Sequence, residues 1–258
     1  DSGPDEENGP PRRFSYWSEV KEGVAAFERG EYAKAQKIWQ DAQSNLRRHT
    51  PQGRQPNPTA NVLSRIAAPF ALAMQTDTPP AVDWDSLTED IMQLVDDRVA
   101  TEIESFLHGT LLKACSDEQK ASALRRAADQ RFAAREFDEA EKLYAQIPVG
   151  SIYRQGVDKR LTACRDGQDA QHRERALSLH QGGRVQPAIR ELEKIPAGRR
   201  TAQDKANIRQ WQRDLQVRDR VDQVKRWARG NNAQRWREAM QEIRRIQEEF
   251  KGHPATVE

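Results

Sequence analysis

The chain has 258 residues, 36% of them hydrophobic and 32% charged, with a formal net charge of +2 and a mean hydropathy of −0.96. That balance is too polar for a compact α/β enzyme built on a buried sheet; it suits thin layers of amphipathic helix with much of their surface exposed. No apolar run approaches the ~20 residues that a membrane span requires, and so small a net charge specifies no polyanionic partner by itself.

Residues 1–13, DSGPDEENGPPRR, contain Gly, Pro and acid and almost nothing to bury, so they read as a flexible tether. The chain starts at Asp1 rather than Met, which fits a processed or excised part of something longer, and one that a missing N-terminal segment would tether to a membrane. A first helical hairpin is expected over 14–48. Phe14, Trp17, Val20, Val24 and Phe27 form the apolar face of its first helix, Gly30 sits in the turn, and Tyr32, Ala35 and Trp39 open the second helix. Residues 49–84 hold a Pro-rich linker and an apolar helix, Asn61–Met74. After QTDTPPAVDW a helix begins at DSLTED, where Ser86 and Glu89 have the spacing of a capping box. Leu87, Ile91, Leu94, Val99, Ile103, Phe106, Leu107 and Leu111 carry it onward to Cys115.

Residues 85–258 are expected to form a helical repeat array. REFDEAEKLYAQIPVGS (Arg135–Ser151) and GRVQPAIRELEKIPAGR (Gly183–Arg199) align at an offset of 48: Phe137 on Val185, Ala140 on Ala188, Tyr144 on Leu192, Ile147 on Ile195, Pro148 on Pro196. Both keep one helical face and the Ile-Pro-x-Gly that ends it. CSDEQ from Cys115, CRDGQ from Cys164 and QRDLQ from Gln212 recur at 49 and 48. Because the third copy lacks cysteine while its frame survives, the thiols read as packing positions rather than chemistry. The last long helix contains Ile208, Trp211, Leu215, Val217, Val221, Val224 and Trp227. A short helix follows GNNAQ, with Trp236, Ala239, Met240, Ile243 and Ile246 on one face. Trp211, Trp227 and Trp236 are all assigned to the core.

The Gly-x-[Tyr/Phe]-x-x-Ala turns, with the small residue at Ala35, Ala140, Ala188 and Ala239, resemble the inter-helix turn of tetratricopeptide repeats. The resemblance covers Phe14–Ala42 and roughly Glu118–Phe250, and departs from the family in its period of 48 against about 34. The long/short array with its Ile-Pro-x-Gly spacers also resembles soluble regions of bacterial membrane proteins. The resemblance implies an all-α, elongated α-solenoid with a helical insert, working as a non-enzymatic scaffold or adaptor that holds another protein's peptide or helix in its concave groove. By the same analogy the partner-binding residues are Arg125, Gln130, Arg131, Arg173 and His180, on the helices that precede the turns.

Two cysteines and five scattered histidines do not make a metal site, and no Gly-x-Ser-x-Gly, His-Glu-x-x-His or phosphate-cradling glycine loop is present. No cofactor is expected. Cys115 and Cys164, at near-equivalent repeat positions, are either a disulfide or two buried thiols; the disulfide would imply an oxidising compartment. The compartment stays open, with a periplasmic soluble region ahead of a cytoplasmic one. From Gly198 onward there are 15 Lys and Arg against 9 Asp and Glu. Nucleic-acid binding by these basic, tryptophan-bearing helices is therefore the alternative function.

Overall fold

The structure, a computed structural model, describes residues 15–76, 78–229 and 233–250. The expected tether, Phe14 and the turn around Gly230–Asn232 lie outside the described residues. Among those described, every regular element is helical. The chain divides into two compact units, with the border between Cys164 and Arg165.

The first unit opens with α1 (Tyr16–Glu28) and α2 (Tyr32–His49). Their pairing depends on one close fit. Trp39 is fully buried and its indole Nε1 donates to Val20 O at 3.0 Å. The ring lies where a side chain on Gly23 would go, since a Cβ there would stand 2.2 Å from Nε1. α3 (Thr59–Ala73) packs on α2, and α4 (Trp84–Asp96) packs on α3 and on α6 (Leu112–Ala133). Phe27 of α1 knits these layers together, standing edge-on to Phe70 of α3 at 5.5 Å and to Phe106 at 5.8 Å. Tyr16 Oη takes the N–H of Ala60 at 2.9 Å and so ties α1 to the start of α3.

The helix expected to run from Ser86 to Cys115 is broken. α4 stops at Asp96, where Asp97 N–H donates to Gln93 O and Arg98, at φ +52°, leaves the helix. A 3-10 turn (Thr101–Ile103), the single turn α5 (Glu104–Phe106) and a π turn (Leu107–Leu111) then lead into α6. The break allows Leu94, Ile103, Phe106, Leu107 and Leu111 to enter one core, which a straight rod with that sequence would spread around its circumference. The cap of α4 also differs from expectation: Asp83, not Ser86, accepts the orphan N–H, that of Ser86 at 3.1 Å.

α6 and α7 (Phe137–Gln146) form the next hairpin, and the 3-10 turn Ile152–Arg154 leads to α8 (Val157–Gln181), within which the border between units falls. One continuous core runs from Tyr16 to Cys164, crossing the boundaries expected at 48/49 and 84/85.

In the second unit the later part of α8 packs with α9 (Val185–Glu193) and the start of α10 (Ala202–Ala228) around Ala176, Ile189, Leu192, Ile195 and Trp211. A capping box starts α10: Thr201 Oγ1 accepts Asp204 N–H at 3.0 Å, and Asp204 accepts Thr201 N–H at 2.8 Å. The end of α10 pairs with α11 (Ala233–Glu249) through Val217, Val224, Ala239, Ile246 and Phe250.

Three hairpin turns close in the same way. The left-handed residues are Gly30, Arg135 and Gly183, at φ +76°, +62° and +74°. Their N–H groups donate to Phe27, Phe132 and His180, three residues back, and the next residues, Glu31, Glu136 and Arg184, donate to Ala26, Arg131 and Leu179, five back. This is Schellman closure, in which a glycine avoids the cost, roughly 1 kcal/mol, of placing a Cβ in that conformation. The 48-residue offset maps Arg135 onto Gly183, so the turn recurs in geometry where the residue type differs. After α7 and α9 the chain turns identically: Ser151 N–H donates to Pro148 O, and Arg199 N–H to Pro196 O.

Two burial expectations are corrected. Trp211 is buried and Trp227 half-buried, but Trp236 is 51% exposed and Met240 47%. Trp236 lies in the first turn of α11, whereas the buried stripe of α10 ends at Val224, so the indole is left half uncovered. Cys115 and Cys164 are buried thiols with no disulfide between them. Each belongs to its own helix layer in the first core, and burial pushes the Cys115 thiol up to about 12.

Candidate functional site

The residues expected to bind a partner are carried on α6 and α8, the helices before the turns. Arg125 is little exposed, with 12% of its side chain accessible. Its Nη1 donates to Tyr153 O at 3.1 Å and Gln155 O at 2.8 Å, and its Nε to Asp129 at 3.3 Å. The guanidinium therefore fastens the segment after Ile147-Pro148 to α6. Arg173, 48 residues on, does the same for the second unit. It forks onto both oxygens of Asp204 at 3.0 and 3.1 Å and donates to Arg199 O at 3.4 Å. A second fastening accompanies each. Buried Glu118 accepts from Ser151 Oγ at 2.6 Å and from Ile152 N–H at 3.3 Å, while buried Asp169 pairs with Arg199 at 3.2 Å. Ser151 and Arg199 are again 48 apart.

The electrostatics of these anchors differ. Burial pushes the Glu118 carboxyl above its usual range, although its two hydrogen bonds pull the other way. For Asp204, burial is outweighed by the bonds from Thr201 and Arg173, and the carboxyl is held below its usual range. Glu191 is lowered likewise: Lys194 donates at 2.7 Å, and His172 Nδ1 lies 2.9 Å from its other oxygen.

His180 lies flat on Trp211, with centroids 4.4 Å apart and planes at 13°, so it packs the second core. Gln130 and Arg131 are exposed near the end of α6, where Arg131 pairs with Glu136 across the turn. Arg125, Gln130 and Arg131 thus belong to the first unit, and Arg173 and His180 to the second. Arg125, Arg173 and His180 are committed to internal contacts.

Around Arg125 the first unit has a groove of about 360 Å³. Pro79–Val82 form one side, and Ser122, Arg125, Arg126, Asp129 and Tyr153 the other. Trp84 Nε1 donates to Tyr153 Oη at 2.9 Å and holds that ring in place. Tyr144 Oη donates to Asp129, which Arg160 also approaches to 3.9 Å. Behind Pro80–Val82 lies a second depression of about 390 Å³ lined by Arg65, Pro69, Leu72 and Leu87. Leu72 and Met74 are exposed nearby in the sequence. Arg126 and Tyr153 escaped the sequence reading. The available signal was the Thr-Pro-Pro run, Thr78–Pro80, which stiffens one wall.

Among the described residues no group of three or more His, Cys, Asp or Glu is placed to hold a metal ion, and no helix is long and apolar enough to cross a membrane. Comparison with protein-family models, curated proteins and solved structures gives no match.

Proposed function

We propose that the chain is a non-enzymatic scaffold, built of tetratricopeptide-like units, that holds another protein and serves as an adaptor or assembly subunit of a larger complex. The carrying observation is the repeated brace: Arg125 and Arg173, 48 residues apart, fasten equivalent segments after equivalent Ile-Pro turns. A repeat whose connections are fixed in this way presents a pre-ordered surface and lowers the ordering cost of binding. The groove between Pro79–Val82 and α6, with a stiff wall and the exposed Arg126 at its edge, suits an extended peptide. The test places a photo-cross-linking residue at Arg126. A discrete protein adduct that survives Arg226→Glu with Arg229→Glu supports the scaffold; its absence from the native complex counts against it.

The alternative, a nucleic-acid-binding module, has one specific observation in its favour. Trp236 is exposed beside Arg235 and Arg237, and an exposed indole among arginines is the makeup of a stacking surface. Polyanion binding with a steep salt dependence, abolished by Arg226→Glu and Arg229→Glu, supports that reading over the first.

A further inference from the structure

We propose that the outward face of α11 is a docking site for an acidic amphipathic helix of a partner protein, a surface that deepens, and rests on, the protein-binding reading above. α11 buries Ala239, Ile246 and Phe250 against α10. Beside that stripe Trp236 and Met240, four residues apart and so one turn apart, are 51% and 47% exposed. Other exposed large apolar side chains among the described residues lack such a helical partner; Leu72 and Met74, for example, are two apart.

Charge selects the occupant. On the flank of α11 facing α10, Glu242 and Glu249 are taken by Arg220, the former at 2.6 Å. On the other flank Arg237 and Arg244 stand at i−3 and i+4 from Met240, both exposed, and neither makes a hydrogen bond or ion pair with any described residue. The face is thus a Trp–Met pair edged by two arginines that no described residue pairs with. Those three residue types are the ones enriched where proteins bind one another. An incoming helix with apolar residues one turn apart covers the pair, and carboxylates on its flank meet Arg237 and Arg244. A single-stranded nucleic acid fits less well. Bases stack on successive aromatic faces, whereas here one indole is exposed, its neighbour one turn on is a thioether, and Trp227 is half-buried.

Three labelled probes test this on the full chain: a helical peptide with a Leu stripe flanked by Glu, its counterpart flanked by Lys, and an oligothymidine. The expected result is saturable binding of the Glu peptide alone, weakened about tenfold or more by Trp236→Ala. Arg237→Glu with Arg244→Glu abolishes it and admits the Lys peptide instead. All three positions are exposed, and far-UV circular dichroism verifies that the variants remain folded. Glu-peptide binding that is indifferent to these substitutions overturns the site while leaving the scaffold reading intact. Oligothymidine that quenches Trp236 while neither peptide binds overturns both. Absence of all binding overturns the site, and the cross-linking at Arg126 then decides the scaffold separately.

Discussion

Within the first unit a single apolar core extends from Tyr16 to Cys164 and includes Trp39, Phe27, Phe70, Phe106 and Trp84, with Glu118 as its buried carboxylate. Within the second unit the apolar residues fall into two smaller groups, one around Trp211 and one around Val217 and Phe250, and three carboxylates, Asp169, Glu191 and Asp204, are buried alongside them. The contrast shows how packed helices change their means of support when their layers are thin. Where α3 and α4 are added to a hairpin, apolar area suffices; where they are absent, ion pairs between successive elements fix the register. The two Arg braces illustrate this. Arg125 mainly satisfies carbonyls, while Arg173 neutralises a buried acid.

The sharpest way to break the comparison is to remove an indole from each core. Trp39→Ala deletes a fully buried ring and its hydrogen bond to Val20, and is expected to cost the first unit about 4 kcal/mol. Trp211→Ala in the smaller core, where His180 also loses its stacking partner, is expected to cost the second unit about 3 kcal/mol. Native-state hydrogen exchange resolved along the chain measures each. If either substitution lowers protection equally in both units, the division into independent cores is wrong. Arg173→Ala comes next. It leaves Asp204 buried without its cation and should cost the second unit about 2 kcal/mol, a figure reduced because the arginine is itself partly exposed. Lower protection of the amides at the start of α10 is the expected signature.

The smallest effect separates the units by pH. Asp204 and Glu191 are held below their ordinary values of 3.8 and 4.5. Their contribution is therefore present above those values and lost as the pH falls through the depressed ones. Glu118 is raised above 4.5, so it opposes folding when ionised and ceases to do so on protonation. Acidification should thus remove the Glu118 penalty from the first unit as the pH falls towards about 4.5, and weaken the second unit through Glu191 and Asp204 below their ordinary values. A urea titration of the unmodified chain at descending pH, followed by hydrogen exchange resolved along the sequence, reads the order. A first unit that loses stability ahead of the second would refute the assignment.

Much of the fold was legible because a period of 48 repeats both a helix face and its terminator. Ile147-Pro148 and Ile195-Pro196 predicted where α7 and α9 end, and the Pro-free stretch before Gly230 predicted the length of α10. The break after Asp96 was not legible. Asp97-Arg98-Val99 contains neither Gly nor Pro, and the apolar spacing continues across it, so tertiary packing alone accounts for the left-handed Arg98. Trp236 was assigned to the core because it lies three residues before Ala239, on the buried face. Helical phase does not reveal whether a neighbour reaches the first turn. At the candidate site, Arg125 and Arg173 were chosen for their position before the turns, yet their own 48-residue spacing marks them as part of the repeating frame. Residues that recur with the frame hold it together; a recognition surface is better sought among those that do not recur, as with Arg126 and Trp236.

The chain has two cysteines, Cys115 and Cys164, and both lie before the border at Arg165. Because both are buried and the Cys115 thiol is scarcely ionised at neutral pH, neither is a ready target for an aqueous thiol reagent in the folded protein. Labelling kinetics with such a reagent consequently time the opening of the first unit and are blind to the second, a site-selective clock that needs no engineered residue.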